Sequence, residues 1–255
     1  MFAQERHKAI VRKLQREQSV KASELVELFE VSTETIRRDL EHLECEGLLK
    51  RVHGGAVAAE PGLGEEIPYA EREIEQLEEK NELAEIAVTY VSEDDSIALD
   101  ASTTNERFAK ALKSRVERLT VVTNSLRILN ELIDMPHYRI ILAGGLVRSD
   151  ERSIVGDMAE AFISQFHVDT FFMSMGGVSL AKGITSYGIG EVSLQKAMHR
   201  NAQKTIALGA SSKFDTVSLL KVCDCAEVEC FVTDSKINKD IVRAYGEHGI
   251  EIVHP

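Results

Sequence analysis

Seven short apolar runs, at residues 96–99, 119–122, 139–142, 170–175, 205–208, 230–232 and 250–253, alternate with stretches of helical periodicity. That alternation predicts a doubly wound, largely parallel α/β sheet over the greater part of the chain. In such sheets ligands bind beyond the carboxyl ends of the strands, so the residues that follow each run matter most. They are small and polar: Asp100-Ala101-Ser102-Thr103-Thr104 after the first run, Thr123-Asn124-Ser125 after the second, and Gly144-Gly145 with Arg148 after the third. Gly176-Gly177 follows the fourth and Ser211-Ser212-Lys213 the fifth. Five loops of hydroxyls, glycines and cations can converge on one anion.

Ser102, Thr103 and Thr104 stand where a helix carrying Phe108 and Leu112 begins. Helix N-termini offer unpaired amides to a phosphate. The plainer alternative is that these hydroxyls only cap the helix, and that the two Gly-Gly pairs only make turns. No G-x-G-x-x-G follows the first run, which argues against a nicotinamide cofactor; no cofactor is expected.

The N-terminal part reads differently. In V-S-T-E-T-I-R-R-D-L, residues 31–40, a helical projection puts Ile36, Leu40 and Leu43 on one face and Glu34, Arg38, Glu41 and Cys45 opposite, with Thr35 and Arg37 on the flanks. Ser32 is suited to cap this helix. Upstream, Ile10, Val11 and Leu14 recur at helical spacing, and Leu25, Leu28 and Phe29 mark a second short amphipathic segment. The short connection through Glu30 and Val31 suits a helix-turn-helix. Downstream, residues 48–52 read as a strand bearing Lys50 and Arg51, and Gly54-Gly55 turns it back toward Ala56 and Val57, giving a basic wing. Wing cations hold phosphates, whereas base discrimination falls to Thr33, Thr35 and Arg38 near the helix start. Glu34 is either an intrahelical partner of Arg37 or Arg38 or an acceptor for a cytosine amino group.

Length and charge divide the chain the same way. Its 255 residues suffice for a small and an ordinary domain. Residues 1–58 hold ten Lys/Arg against ten Asp/Glu, so the remaining 20 against 32 carry the whole net charge of −12. An acidic total argues against a general nucleic-acid binder, since phosphate affinity comes largely from cations. A local basic helix can still bind double-stranded DNA, and a homodimer or homotetramer would add the avidity one copy lacks. The Pro/Gly-rich stretch 59–73 reads as the linker between a DNA-binding domain, 1–58, and an effector domain, 74–255. The charge run 71–80 reads as a solvated helical face. With no signal peptide and no apolar run of spanning length, the protein is expected to be cytoplasmic and off the membrane. Cys45, Cys223, Cys225 and Cys230 lack zinc spacing, so no metal and no disulfide is expected.

Arg6 with Ile10, then Ser32-x-x-Thr35-Ile36-Arg37-Arg38-Asp39-Leu40, then Arg51-Val52-His53-Gly54-Gly55-Ala56, together resemble the DeoR family of bacterial regulators. The resemblance implies a winged helix-turn-helix joined to a sugar-phosphate-sensing domain related in fold to ribose-5-phosphate isomerase, acting usually as a repressor of sugar-utilisation genes. On it, Ser32, Thr33, Thr35, Arg37, Arg38, Lys50, Arg51, His53 and Gly54 form the expected DNA-binding set. The family's D-x-G-T-T, T-N, G-G-x-x-R, E-x-x-x-x-K and S-K-F motifs correspond to 100–104, Thr123-Asn124, Gly144-Gly145 with Arg148, Glu191 with Lys196, and Ser212-Lys213-Phe214, with Ser102 where glycine is common. Lys196 and Lys213 are then the cations for phosphate or sugar hydroxyls, and Asp100 and Glu191 the hydroxyl acceptors. The alternative is a sugar-phosphate isomerase fused to a DNA-binding domain, with Glu191 as base beside Lys196.

Overall fold

The computed structural model describes residues 6, 7, 9–11, 13, 14, 19–45, 49–52, 54–58 and 67–255. His53, Leu48, the cations Lys8 and Arg12, the side chain of Cys45 and the linker stretch 59–66 lie outside the described residues. The chain divides into two compact units, 1–62 and 63–255.

In the first unit a helix within residues 6–14 (α1) is followed by β1 (Ser19–Lys21), α2 (Ala22–Phe29), α3 (Thr33–Cys45), β2 (Leu49–Val52) and β3 (Gly55–Ala58). Ile10, Leu14, Leu25, Ile36, Leu40 and Leu43 bury the apolar stripes of the three helices in one small core, closed by Val20, Leu49 and Ala56 from the strands. The wing is a three-stranded antiparallel sheet of order β1-β3-β2, rather than the two-stranded hairpin expected. β1 explains the second glycine of the turn. A Cβ on Gly55 would sit 2.0 Å from the Val20 carbonyl oxygen, so only glycine lets β1 lie against β3. Gly54 turns with φ +88°, a conformation that side chains rarely adopt.

The second unit runs α4 (Tyr69–Ile74), α5 (Leu77–Ala87), β4 (Ser96–Leu99), α6 (Thr103–Leu112), β5 (Leu119–Thr123), α7 (Leu126–Leu132) and β6 (Tyr138–Leu142). It continues through a hairpin of β7 (Leu146–Arg148) and β8 (Ser153–Val155), then α8 (Asp157–Ile163), β9 (Val168–Ser174), β10 (Gly177–Ser179), β11 (Gly183–Ser186) and α9 (Ile189–Asn201). β12 (Ala202–Leu208), β13 (Leu220–Cys223), β14 (Cys230–Val232), α10 (Lys239–Glu247) and β15 (Ile252–Val253) complete it.

All seven apolar runs are strands of one sheet, ordered β15-β14-β12-β9-β4-β5-β6 and parallel throughout. Successive side chains of a strand point to opposite faces, and β9 shows the consequence. Phe171 and Met173 pack with Val192 and Met198 of α9, while Phe172 packs on the other face with Phe108 and Leu112 of α6. Two apolar faces explain why the runs are continuous. From β4 the chain steps outward through β5 and β6, then returns to β9 on β4's other side, so the switch point lies between the carboxyl ends of β4 and β9.

Residues 69–73, expected in the linker, form α4 on the second unit, because Tyr69 is buried there and its hydroxyl donates to Glu106 at 2.5 Å. The charge run 71–80 is not one solvated helix. It breaks at Glu75-Gln76, where Gln76 has φ 51°, and Lys80 is buried. Among the described residues no helix is long and apolar enough to cross a membrane.

Candidate nucleic-acid interface and ligand crevice

Ser32 caps α3: its Oγ accepts from the Thr35 amide at 3.1 Å and meets Thr35 Oγ1 at 2.8 Å. With Ile36, Leu40 and Leu43 buried, Thr33, Glu34, Arg37 and Arg38 are left exposed, together with Lys50 on the wing. Glu34 takes the intrahelical role, 3.4 Å from Arg38, in an exposed pair weak enough for the arginine to leave it. Arg51 behaves differently from the phosphate contact expected of it. Its amide donates to Glu44 at 2.8 Å and its guanidinium lies 3.3 Å from Glu44 and 3.9 Å from Glu41, so it ties the wing to α3.

Asp39, the third residue of R-R-D, is structural. It is 5 % exposed and accepts from Arg6 Nε at 2.5 Å and Nη2 at 3.0 Å, and from His7 Nε2 at 2.8 Å. Burial pushes its pKa up, but the hydrogen bonds from Arg6 and His7 outweigh this and hold the carboxyl below its ordinary value. The cluster bolts α1 to the exposed helix. Sequence reasoning used Arg6 only as a family marker and missed this role, which a buried Asp at a helix position otherwise reserved for leucines can signal only in three dimensions.

In the second unit, Asp100 is fully enclosed at the switch point. Its carboxylate accepts from the Ser174 amide at 3.2 Å, from Ser174 Oγ at 2.8 Å, and from the side-chain amides of Asn105 and Gln195. Desolvation raises its pKa against these donors. Asp100 therefore knots β4, β9, α6 and α9 together, with its oxygens already engaged. Asn124 works alike: Oδ1 accepts from the Ala101 amide at 3.0 Å and Nδ2 donates to the Ile154 carbonyl at 3.1 Å. Thr123 donates to the Leu99 carbonyl at 2.7 Å, and Ser125 and Ser102 cap α7 and α6. For these hydroxyls the capping alternative describes the structure.

Other groups remain open. Among the described residues the hydroxyls of Thr103 and Thr104, and their amides in the first turn of α6, have no protein partner, nor do the ammonium groups of Lys196 and Lys213. Arg148 donates to Glu191 at 2.8 Å and to Asp150 at 2.8 Å, and Ser153 donates to Glu191 at 2.9 Å. Glu191 thus pairs with Arg148 rather than with Lys196. Gly144 and Gly145 are exposed beside this hairpin. Gly176 and Gly177 are packing positions, since a Cβ there would lie 2.8 Å from Ser218 Oγ and 2.7 Å from Thr216 Oγ1.

Two cations were not anticipated. Lys80 donates to the Glu75 carbonyl at 2.8 Å and to that of Arg72, and Arg72 pairs with Glu151. Burial, then the positive charge of Lys213 and those of Arg72 and Arg107, lowers the Lys80 pKa to about 8 despite Glu75. Lys213 is lowered as well, by burial and then by Arg72. α6, the loop after β12 and the start of α5 therefore bring like charges together at the carboxyl edge of the sheet, where an anion would relieve them.

A DeoR-like helix-turn-helix domain matches residues 6–61, and a DeoR C terminal sensor domain matches residues 75–235. The HTH-type transcriptional regulator GolR of Listeria innocua is 34% identical over 99% of this chain and 98% of its own length. The glycerol-3-phosphate regulon repressor of Escherichia coli is 31% identical over 97% of each chain, and a putative aga operon transcriptional repressor of E. coli O157:H7 is 28% identical over 98% and 93%. Among solved structures, ribose 5-phosphate isomerase A from Methanocaldococcus jannaschii superposes on 53% of this chain and 53% of its own with a TM-score of 0.40 at 17% identity.

Proposed function

The chain belongs to the DeoR family of helix-turn-helix transcriptional regulators, and on that premise we propose that it represses a sugar-utilisation operon and releases its operator when a phosphorylated sugar fills the crevice. The reading is carried by the half-buried Lys213 ammonium together with the open Thr103 and Thr104 amides, donors without protein acceptors at the carboxyl edge of the sheet. A phosphate dianion satisfies both, through charge-assisted bonds and the helix N-terminus. Lys196 and the Arg148–Glu191 pair then face the sugar hydroxyls.

On the DNA side, Arg37 and Lys50 take phosphates, and Thr33 and Arg38 reach base edges in the major groove. Residues 1–58, with zero net charge, give one copy little phosphate affinity, so the protein acts as a dimer or tetramer on paired half-sites in the cytoplasm. It works as a sensor without turnover: Glu191, the residue an isomerase would need as base, is held by Arg148 and Ser153. Because ligand shifts an equilibrium only by its differential affinity, induction requires weaker ligand binding to the operator-bound form. Titration of the protein's own promoter fragment, with and without sugar phosphates that raise the melting temperature, tests this. Unchanged operator affinity with every such ligand contradicts it.

A further inference from the structure

α4 lies immediately after the stretch 59–66 that joins the two units, and its ties run to the loops and helices of the ligand crevice. Tyr69 donates to Glu106 in α6, Arg72 pairs with Glu151 between β7 and β8, and Glu73 lies 3.6 Å from Arg127 at the start of α7. The carboxyl end of α4 is held by Lys80, through the carbonyls of Arg72 and Glu75. The next residue, Gln76, adopts the left-handed conformation that a side-chain-bearing residue disfavours, and donates to Ser212 Oγ at 2.7 Å, one position from Lys213. A single ammonium thus serves both as the bolt on α4 and as a member of the cation cluster proposed to take phosphate.

We infer that α4 and the Gln76 turn form a ligand-released clasp, in which an anion seated beside Lys213 draws Lys80 from the carbonyls of Arg72 and Glu75 and so frees the element that enters the second unit. This rests on the proposed reading of the crevice as a phosphate site. Neutral carbonyls compete poorly with a dianion, because they offer the Lys80 ammonium only a dipole where the dianion offers full opposite charge at close range. The crowding of Lys80 by Lys213, Arg72 and Arg107 adds to the pull, since the anion relieves it and the carbonyls do not. Once Lys80 turns, the left-handed Gln76 loses the anchor that holds the chain on each side of it.

Hydrogen exchange on the full-length protein, in inorganic phosphate against chloride at equal ionic strength, separates the outcomes. The clasp requires slower exchange at the first turn of α6 and several-fold faster exchange at the amides of residues 71–75. Protection at α6 with unchanged or slower exchange at 71–75 overturns the clasp while leaving the phosphate site standing. No change at α6 overturns the site, and the clasp with it. Glu151→Gln weakens the tie between Arg72 of α4 and the β7–β8 loop, a tie that does not pass through Lys80, so it should speed exchange at 71–75 without phosphate and blunt any further increase on adding it. Glu82→Ala, which removes the bonds from Ser235 to α5, should leave the phosphate response intact. Equal phosphate responses in native and Glu151→Gln protein contradict the inference.

Discussion

Replacing Asp39 by Ala should strongly destabilise the first unit while sparing the second. The substitution removes the carboxylate to which Arg6 Nε and Nη2 donate, inside the unit, where Arg6 and Asp39 side chains are each 7 % exposed. Breaking a buried pair by removing one partner costs about 3–5 kcal/mol, and about 3 is apt here because the cluster lies near the surface of a small unit. A unit of this size has a total stability of roughly 3–9 kcal/mol, so the variant sits close to its folding threshold. Calorimetry of the full chain should show the transition of the first unit lowered or lost, with that of the second unchanged, and operator binding should fall with it. The pH dependence follows from the sign of the shift. A carboxyl held below its ordinary value stabilises the fold above its unfolded pKa, and that contribution disappears as pH falls through the folded one. Native protein should therefore lose first-unit stability in acid more steeply than Asp39→Ala. A loss below about 0.5 kcal/mol, the level of ordinary surface substitutions, would refute the bolt.

Three further outcomes follow from the same geometry. Lys80, lowered to about 8 by burial and then by Lys213, favours anion binding while protonated; affinity for a sugar phosphate, whose own second ionisation is nearly complete at pH 7, should fall by up to about tenfold between pH 7 and 9, as measured by titration calorimetry. Asp100→Asn turns an NH2 group toward donors, leaving one of them unsatisfied at a cost of about 1–3 kcal/mol, so the melting temperature of the second unit should drop by about 5 °C in a thermal scan. Arg37→Ala should weaken binding to specific and unrelated DNA alike and reduce the salt slope by about one for each copy bound, whereas a loss confined to the specific operator would assign Arg37 to base reading instead.

The sheet was legible because burial on both faces leaves continuous apolar runs, as at Phe171, Phe172 and Met173, and α3 because Ser32 and the Ile36/Leu40/Leu43 stripe are local signals. β1 was not, since three residues, Ser-Val-Lys, carry too little pattern to distinguish a strand from a loop; its trace was Gly55, whose need for space appears only once Val20 is in place. Arg72 and Lys80 were hidden within a charge run because a buried ammonium depends on carbonyls brought to it by a chain reversal at Gln76. The same limit applies to the polar loops. Ser102, Asn124 and Asp100 were correctly placed at the carboxyl edge, but composition does not reveal which donors and acceptors the fold has already used, and those three are spent on the framework. What remained available was left to Thr103, Thr104, Lys196 and Lys213.

Operator titration of native and Lys213→Met protein, each with and without a sugar phosphate that stabilises the native chain, most directly tests whether one polypeptide couples a DNA-reading helix to an anion crevice. The native protein should lose operator affinity on adding ligand, while Lys213→Met should bind operator equally well without ligand and need at least about tenfold more ligand for the same release. Equal ligand sensitivity in the two proteins would contradict the proposed role of the crevice.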